Sequence, residues 1–136
     1  MFKLFPFFHQ HDAMDCGPTC LKMIAQYHGR NFSLERLREL CRISKEGVSM
    51  QGISMAAESL GFKTLGVHIK FHQLKDEVPM PCIVHWKQNH FVVVYRIKRG
   101  KVYVADRLSL FGRRSVSLHT CFVFLRPYGT ACKRLE

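Results

Sequence analysis

The spacing of apolar residues changes near the middle of the chain. Up to Leu60 they recur at three- and four-residue intervals, and after it they alternate or run together. Leu21, Ile24, Ala25 and His28 share one helical face, which predicts a helix from near Cys16 to Tyr27. Pro18 suits its first turn, where a missing N–H goes unused, and Gly29 stands where a stop is expected. Ser33 is placed to cap a second helix with Leu34, Leu37, Leu40 and Cys41 on one side. A third helix is expected from near Ser49, turning Ile53, Ala56, Ala57 and Leu60 inward, with Gly61 as its stop.

Strand patterns follow. Leu65, Val67 and Ile69 alternate as in a half-buried strand, and Cys82 to Trp86 reads as another. Phe91 to Tyr95 is a continuous aromatic and β-branched run, expected of a strand covered on both faces. Arg99-Gly100 is a turn signal, with Val102 to Val104 returning as the partner strand. Helices first and an antiparallel sheet afterwards predict an α+β fold.

Composition narrows the class. A chain of 136 residues with 47% apolar content is expected to form one domain with a single core. No apolar run approaches the roughly 20 residues of a membrane span. The segment from Met1 to Phe8 is too short for a secretory apolar region and has no small-residue cleavage site. With no secretory signal, the six cysteines are expected to be reduced thiols in a cytoplasmic setting. Lys and Arg outnumber Asp and Glu by 21 to 10, for a net charge of +11. Nearly half of that excess, +5, lies in residues 107–136, under a quarter of the length, which weakens the case for a basic face, and nucleic acid is not expected as a partner.

The candidate chemistry is thiol-based acyl transfer. Cys16 at a helix start would feel the positive end of the helix dipole, which favours thiolate. Gln10 precedes it on a segment able to fold back over the helix start. There its side-chain amide could join the backbone N–H of Cys16 in holding an oxyanion. His90 heads the Phe91–Tyr95 run, and Asp106 ends the partner strand. If Arg99-Gly100 is a two-residue turn, residue 93 faces residue 106. His90 then lies three residues further on, about 10 Å along the strand. Contact between them therefore needs a bend or bulge. A zinc site built from His9, His11, Cys16, Cys20, His85 and His90 is the chemical rival. However, Cys16 and Cys20 fall on a predicted helix, not a knuckle turn, and no second cysteine pair has matching spacing.

These residues carry a resemblance. Gln10-x5-Cys16-Gly17-Pro18, Gly47-Val-Ser-x-x-Gly52-Ile-Ser, Pro81 to Trp86, Asn89-His90-Phe91 with its valines, and Val102 to Asp106 occur in one order over residues 5–106. In this they resemble the papain-like peptidase domain of bacterial peptidase-containing ABC transporters, which export bacteriocins and related peptides. The resemblance implies a helical first half packed on an antiparallel sheet. It also implies Cys16 as nucleophile, His90 as general base and acid, Asp106 as the group orienting His90, and Gln10 as oxyanion donor, with no metal or cofactor. The implied activity is removal of leader peptides after a double glycine. The leader would dock as an amphipathic helix, and the transmembrane and nucleotide-binding parts of a transporter would be partners at the inner face of the membrane. The alternative is a leader-binding domain of the same fold with weak or no turnover. The peptidase domain is expected over residues 1–106, and the resemblance stops at Asp106. Residues 107–136 are expected to be an atypical basic tail, either part of the same domain or a divergent or frameshifted end, in which Cys121 to Leu125 could form a strand.

Overall fold

The computed structural model describes residues 15–44, 47–69, 80–86, 90–99, 101–106, 109–113 and 120–127. At 67–69, 86, 90, 101, 106, 109–113 and 120–127 it describes the backbone alone. Among the described residues three helices come first: α1 (Cys16–Tyr27), α2 (Leu34–Cys41) and α3 (Met50–Ser59). Six strands follow: β1 (Phe62–Ile69), β2 (Cys82–Trp86), β3 (His90–Lys98), β4 (Lys101–Asp106), β5 (Ser109–Arg113) and β6 (Thr120–Pro127).

The helices begin where the polar signals place them. Ser33 and Ser49 have extended backbones, and each hydroxyl accepts a hydrogen bond from the N–H three residues on, Arg36 and Gly52 respectively. These bonds satisfy donors that the first helical turn leaves unpaired. At the far end of α3, Gly61 turns the chain into β1 with a φ of 89°, in the left-handed region that glycine enters without strain.

The strands form one antiparallel sheet in the order β1-β6-β2-β3-β4-β5. β6, latest in sequence, therefore lies between the two earliest strands. Its expected core, Cys121 to Leu125, is paired on one side with β1 (Val123 opposite Gly66) and on the other with β2 (Val123 opposite Ile83).

The helices cover one face of this sheet. Leu21 and Ile24 of α1, Leu37 of α2 and Ile53 of α3 join Phe62, Ile83, Phe91 and Val93 in a continuous buried cluster. The intervening residues Cys82, Val84, Val92 and Val94 are buried as well. The middle strands are thus covered on both faces, as the unbroken apolar run predicts. In β1 the alternation has the opposite sense to the one expected. Phe62 is fully buried and Leu65 is 49% exposed, so the Leu65 row marks the sheet face turned away from α3.

Arg99, with a φ of 52°, sits in the turn between β3 and β4, and Lys98 pairs with Lys101 as a two-residue turn requires. The register then shifts. Arg96 faces Tyr103, but Val94 faces Val104 and Val93 faces Ala105, so Tyr95 is an extra residue on β3. Residue 93 therefore does not face 106, as an unbroken ladder would have it. A β-bulge inserts one residue and bends its strand, which is the distortion the sequence argument required.

Candidate active site

The start of α1 is built from Asp15, Cys16, Gly17 and Pro18. Asp15 is the residue preceding the helix (φ −91°, ψ 7°), and its side chain makes no capping bond. Pro18 at the third helical position has no N–H to offer, and the Asp15 backbone lacks the extended conformation from which a side chain caps its own helix. The Asp15 carboxylate is nearly buried and instead pairs with the Arg38 guanidinium on α2. Nε donates to Oδ1 at 2.7 Å, and Nη2 donates to Oδ2.

Cys16 is the first residue of α1 and is 5% exposed. Gly17 allows the close packing around it. A Cβ at Gly17 would lie 3.1 Å from Ile53 Cδ1 and 3.1 Å from Val48 Cγ1, tighter than ordinary contact. The first turn of α1 is thereby pressed against α3 and the segment leading into it.

The described cysteines, Cys16, Cys20, Cys41 and Cys82, are all buried thiols outside any disulfide. Burial pushes the Cys41 thiol up to about 12 and raises that of Cys82 as well, which makes both poor nucleophiles. Neither lies at a helix N-terminus; Cys41 ends α2 and Cys82 begins β2. Cys16 alone among these four stands where the partial positive charge of a helix start favours thiolate.

His90 is the first residue of β3 and faces Trp86 of β2, and Asp106 is the last residue of β4. Both lie at the same end of the β3–β4 hairpin, opposite its turn. Continuing the register from Val93 opposite Ala105 sets position 106 against position 92. Position 90 is then two residues away along β3 instead of three, about 7 Å. The core joins this strand to the nucleophile's helix, since Cys16 and Phe91, next to His90, belong to the same buried cluster. Gln10, His9 and His11 lie outside the described residues, as do the side chains of His90 and Asp106. Among the described residues no three His, Cys, Asp or Glu side chains converge to hold a metal ion, nor is any helix long and apolar enough to cross a membrane.

Arg38 is the polar residue at this site that sequence reasoning missed. The local pattern carried no signal for it beyond Pro18, which removes one of the two backbone donors a capping Asp could use.

Comparison with known proteins fits this arrangement. The sequence profile of the peptidase C39 family matches residues 4–119. The chain is 37% identical over 101 residues to the probable microcin-H47 secretion/processing ATP-binding protein of Escherichia coli, covering 74% of this chain and 14% of that protein. It is 35% identical over 115 residues to the lactococcin-G-processing and transport ATP-binding protein of Lactococcus lactis, covering 80% of this chain and 16% of that protein. The chain thus spans only a small part of the length of these relatives. Among solved structures it resembles a double glycine motif protease from an AMS/PCAT transporter in complex with the leader peptide (TM-score 0.84, 28% identity, 90% of this chain and 91% of that one). It also resembles the peptidase domain of Streptococcus ComA, a bi-functional ABC transporter (TM-score 0.82, 31% identity, 91% and 99%). Helices packed on an antiparallel sheet, a papain-like arrangement headed by a cysteine, and a profile match over most of the length identify the chain as a member of the peptidase C39 family.

Proposed function

We propose that this chain is a cysteine endopeptidase that removes leader peptides after a double glycine from bacteriocin-like or related secreted peptides. The carrying observation is that Cys16 heads α1 in a chain of the C39 family, within the same buried cluster as the strand that His90 begins. In this reading His90 accepts the Cys16 proton and the thiolate attacks the carbonyl carbon of the second glycine. The oxyanion accepts hydrogen bonds from the Gln10 side-chain amide and the Cys16 backbone N–H. His90 then protonates the departing amine, leaving a thioester that water hydrolyses to release the leader and regenerate the thiol. Asp106 orients the imidazole through the other ring nitrogen. The bulge at Tyr95 supports this pairing, because it shortens the offset between positions 90 and 106.

The leader is the substrate, and the transmembrane and nucleotide-binding parts of an ABC exporter are the partners. The domain works in the cytoplasm at the inner face of the membrane. The processing and transport proteins it matches, and the neighbour bound to its leader, support that assignment. Residues 107–136 belong to the same domain as 1–106 in this reading, supported by the pairing of β6 with both β1 and β2.

Incubation with a synthetic leader–core peptide tests the function. Cleavage is expected after the second glycine, with Cys16→Ala lowering kcat by at least about a thousandfold. Binding without cleavage by the unaltered protein would instead make it a docking domain for leaders. Cleavage abolished by EDTA but not by thiol alkylation would replace the thiol mechanism with a metal one.

A further inference from the structure

The Asp15 carboxylate has lost its place in the helix cap and has been taken up by a neighbouring helix. With proline at the third helical position, the short bond from an N-cap aspartate to its own helix has no donor there. The side chain, only 4% exposed, instead accepts both prongs of the Arg38 guanidinium. A fork-to-carboxylate pair fixes orientation as well as charge, which a lysine could not do. Cys16 follows directly in sequence. A bare carboxylate there would oppose ionisation of the thiol, because a like charge nearby disfavours the anion.

Resting on the reading of Cys16 as nucleophile, we propose that Arg38 is a positioning residue for it: Arg38 locks the first turn of α1 to α2 and cancels the negative charge adjoining the thiol. Among the described residues, the surroundings leave this role to Arg38. On α1 the titratable neighbours of Cys16 are Asp15 and Cys20; Lys22, further along, donates to the Phe32 carbonyl at 2.7 Å. α2 contributes Arg38 and the inert Cys41. α3 packs against the core with Ile53, Ala56 and Ala57, and its Glu58 accepts from Thr64 at 2.9 Å. From the sheet, β2 brings Ile83 and β3 brings Phe91 and Val93 to the cluster. His85 of β2 stacks on Phe91, and His90 is the proposed base. Among the described residues, Arg38 is the cation bonded to Asp15.

The test is the pH dependence of Cys16 alkylation by iodoacetamide, read by peptide mass spectrometry in the full chain. The unaltered protein is compared with Arg38→Gln, Asp15→Asn and the double variant. Losing the cation alone should move the midpoint up by about one pH unit and slow alkylation near neutrality about tenfold. Losing the carboxylate alone should move the midpoint down, and the double variant should return close to the unaltered protein. An unchanged midpoint in both single variants, or a double variant as slow as Arg38→Gln, would overturn the inference. If Arg38→Gln does not fold, Asp15→Asn still decides it by the sign of its shift. This readout needs no substrate. A midpoint that moves as described in a protein that cleaves nothing would keep the charge-cancelling role and reject the peptidase reading, whereas cleavage with an immobile midpoint would do the reverse.

Discussion

His85 shows how burial alone sets the behaviour of a single side chain. Its ring stacks on Phe91, with centroids 4.7 Å apart and planes inclined by 25°. Its Nε2 is buried with no hydrogen-bond partner among the described residues. Burial lowers its pKa below the usual 6.5, because the charged imidazolium would lose solvation there. In the unfolded chain the same group takes up its proton at the higher, ordinary value, so below 6.5 the unfolded state binds more protons. Stability from this site is therefore present above about 6.5 and is lost as the pH falls towards the folded value. His85→Phe, which retains a stacked ring, should flatten that part of the acid limb when denaturation midpoints are measured against pH. An acid limb identical in the two proteins would show that His85 does not titrate in this way. At this scale the sequence was legible where placement follows from residue type and spacing, as for Cys16 at the start of α1 and Pro18 in its first turn. It was silent on Arg38, because an ion pair 23 positions apart follows from how two helices dock and not from any local pattern.

The α2–α3 contact shows the same division between elements. Both caps, Ser33 and Ser49, were readable because capping is local chemistry over three residues. The reason for Gly52 was not. A Cβ at that position would lie 2.7 Å from the carbonyl oxygen of Cys41, the last residue of α2. The obstruction is backbone, so it cannot swing aside as a side-chain tip would. Gly52→Ala gains helix propensity of about 1 kcal/mol but forces α2 away from α3, an overpacking cost of about 3 kcal/mol. A net loss of about 2 kcal/mol is expected from chemical denaturation, and a stabilised variant would mean that the helices separate freely. The Tyr95 bulge was hidden for a different reason. It adds a residue of the same β-forming type to an already uninterrupted run, so the hydrophobic pattern is unaltered while the pairing beyond it moves by one.

For the whole molecule, the existence of most strands was legible, β5 (Ser109–Arg113) being the exception, and strand order was not. Cys121 to Leu125 carries an evident strand pattern, yet nothing local says that it enters between β1 and β2. The loss of resemblance after Asp106 drew a boundary there, while the ladder continues across it: β4 pairs with β5, and β6 pairs with strands more than thirty residues earlier. Truncation after Arg107 removes the strand that, among the described residues, joins β1 to β2 in the sheet order. The shortened chain should show no cooperative thermal transition and should fail to cleave leader peptide. A sharp unfolding transition from that fragment would instead make residues 107–136 dispensable.

The placement of β6 also governs timing. On the ribosome, β1 and β2 emerge well before the segment that bridges them, so their facing edges must wait unsatisfied until residue 127 has cleared the exit tunnel. The helices can collapse early because their contacts are near in sequence, but the sheet closes in a late step with a large loop to overcome. If the chain is the peptidase proposed above, its competence would therefore appear abruptly, near the end of synthesis of this region, and not grow gradually with chain length.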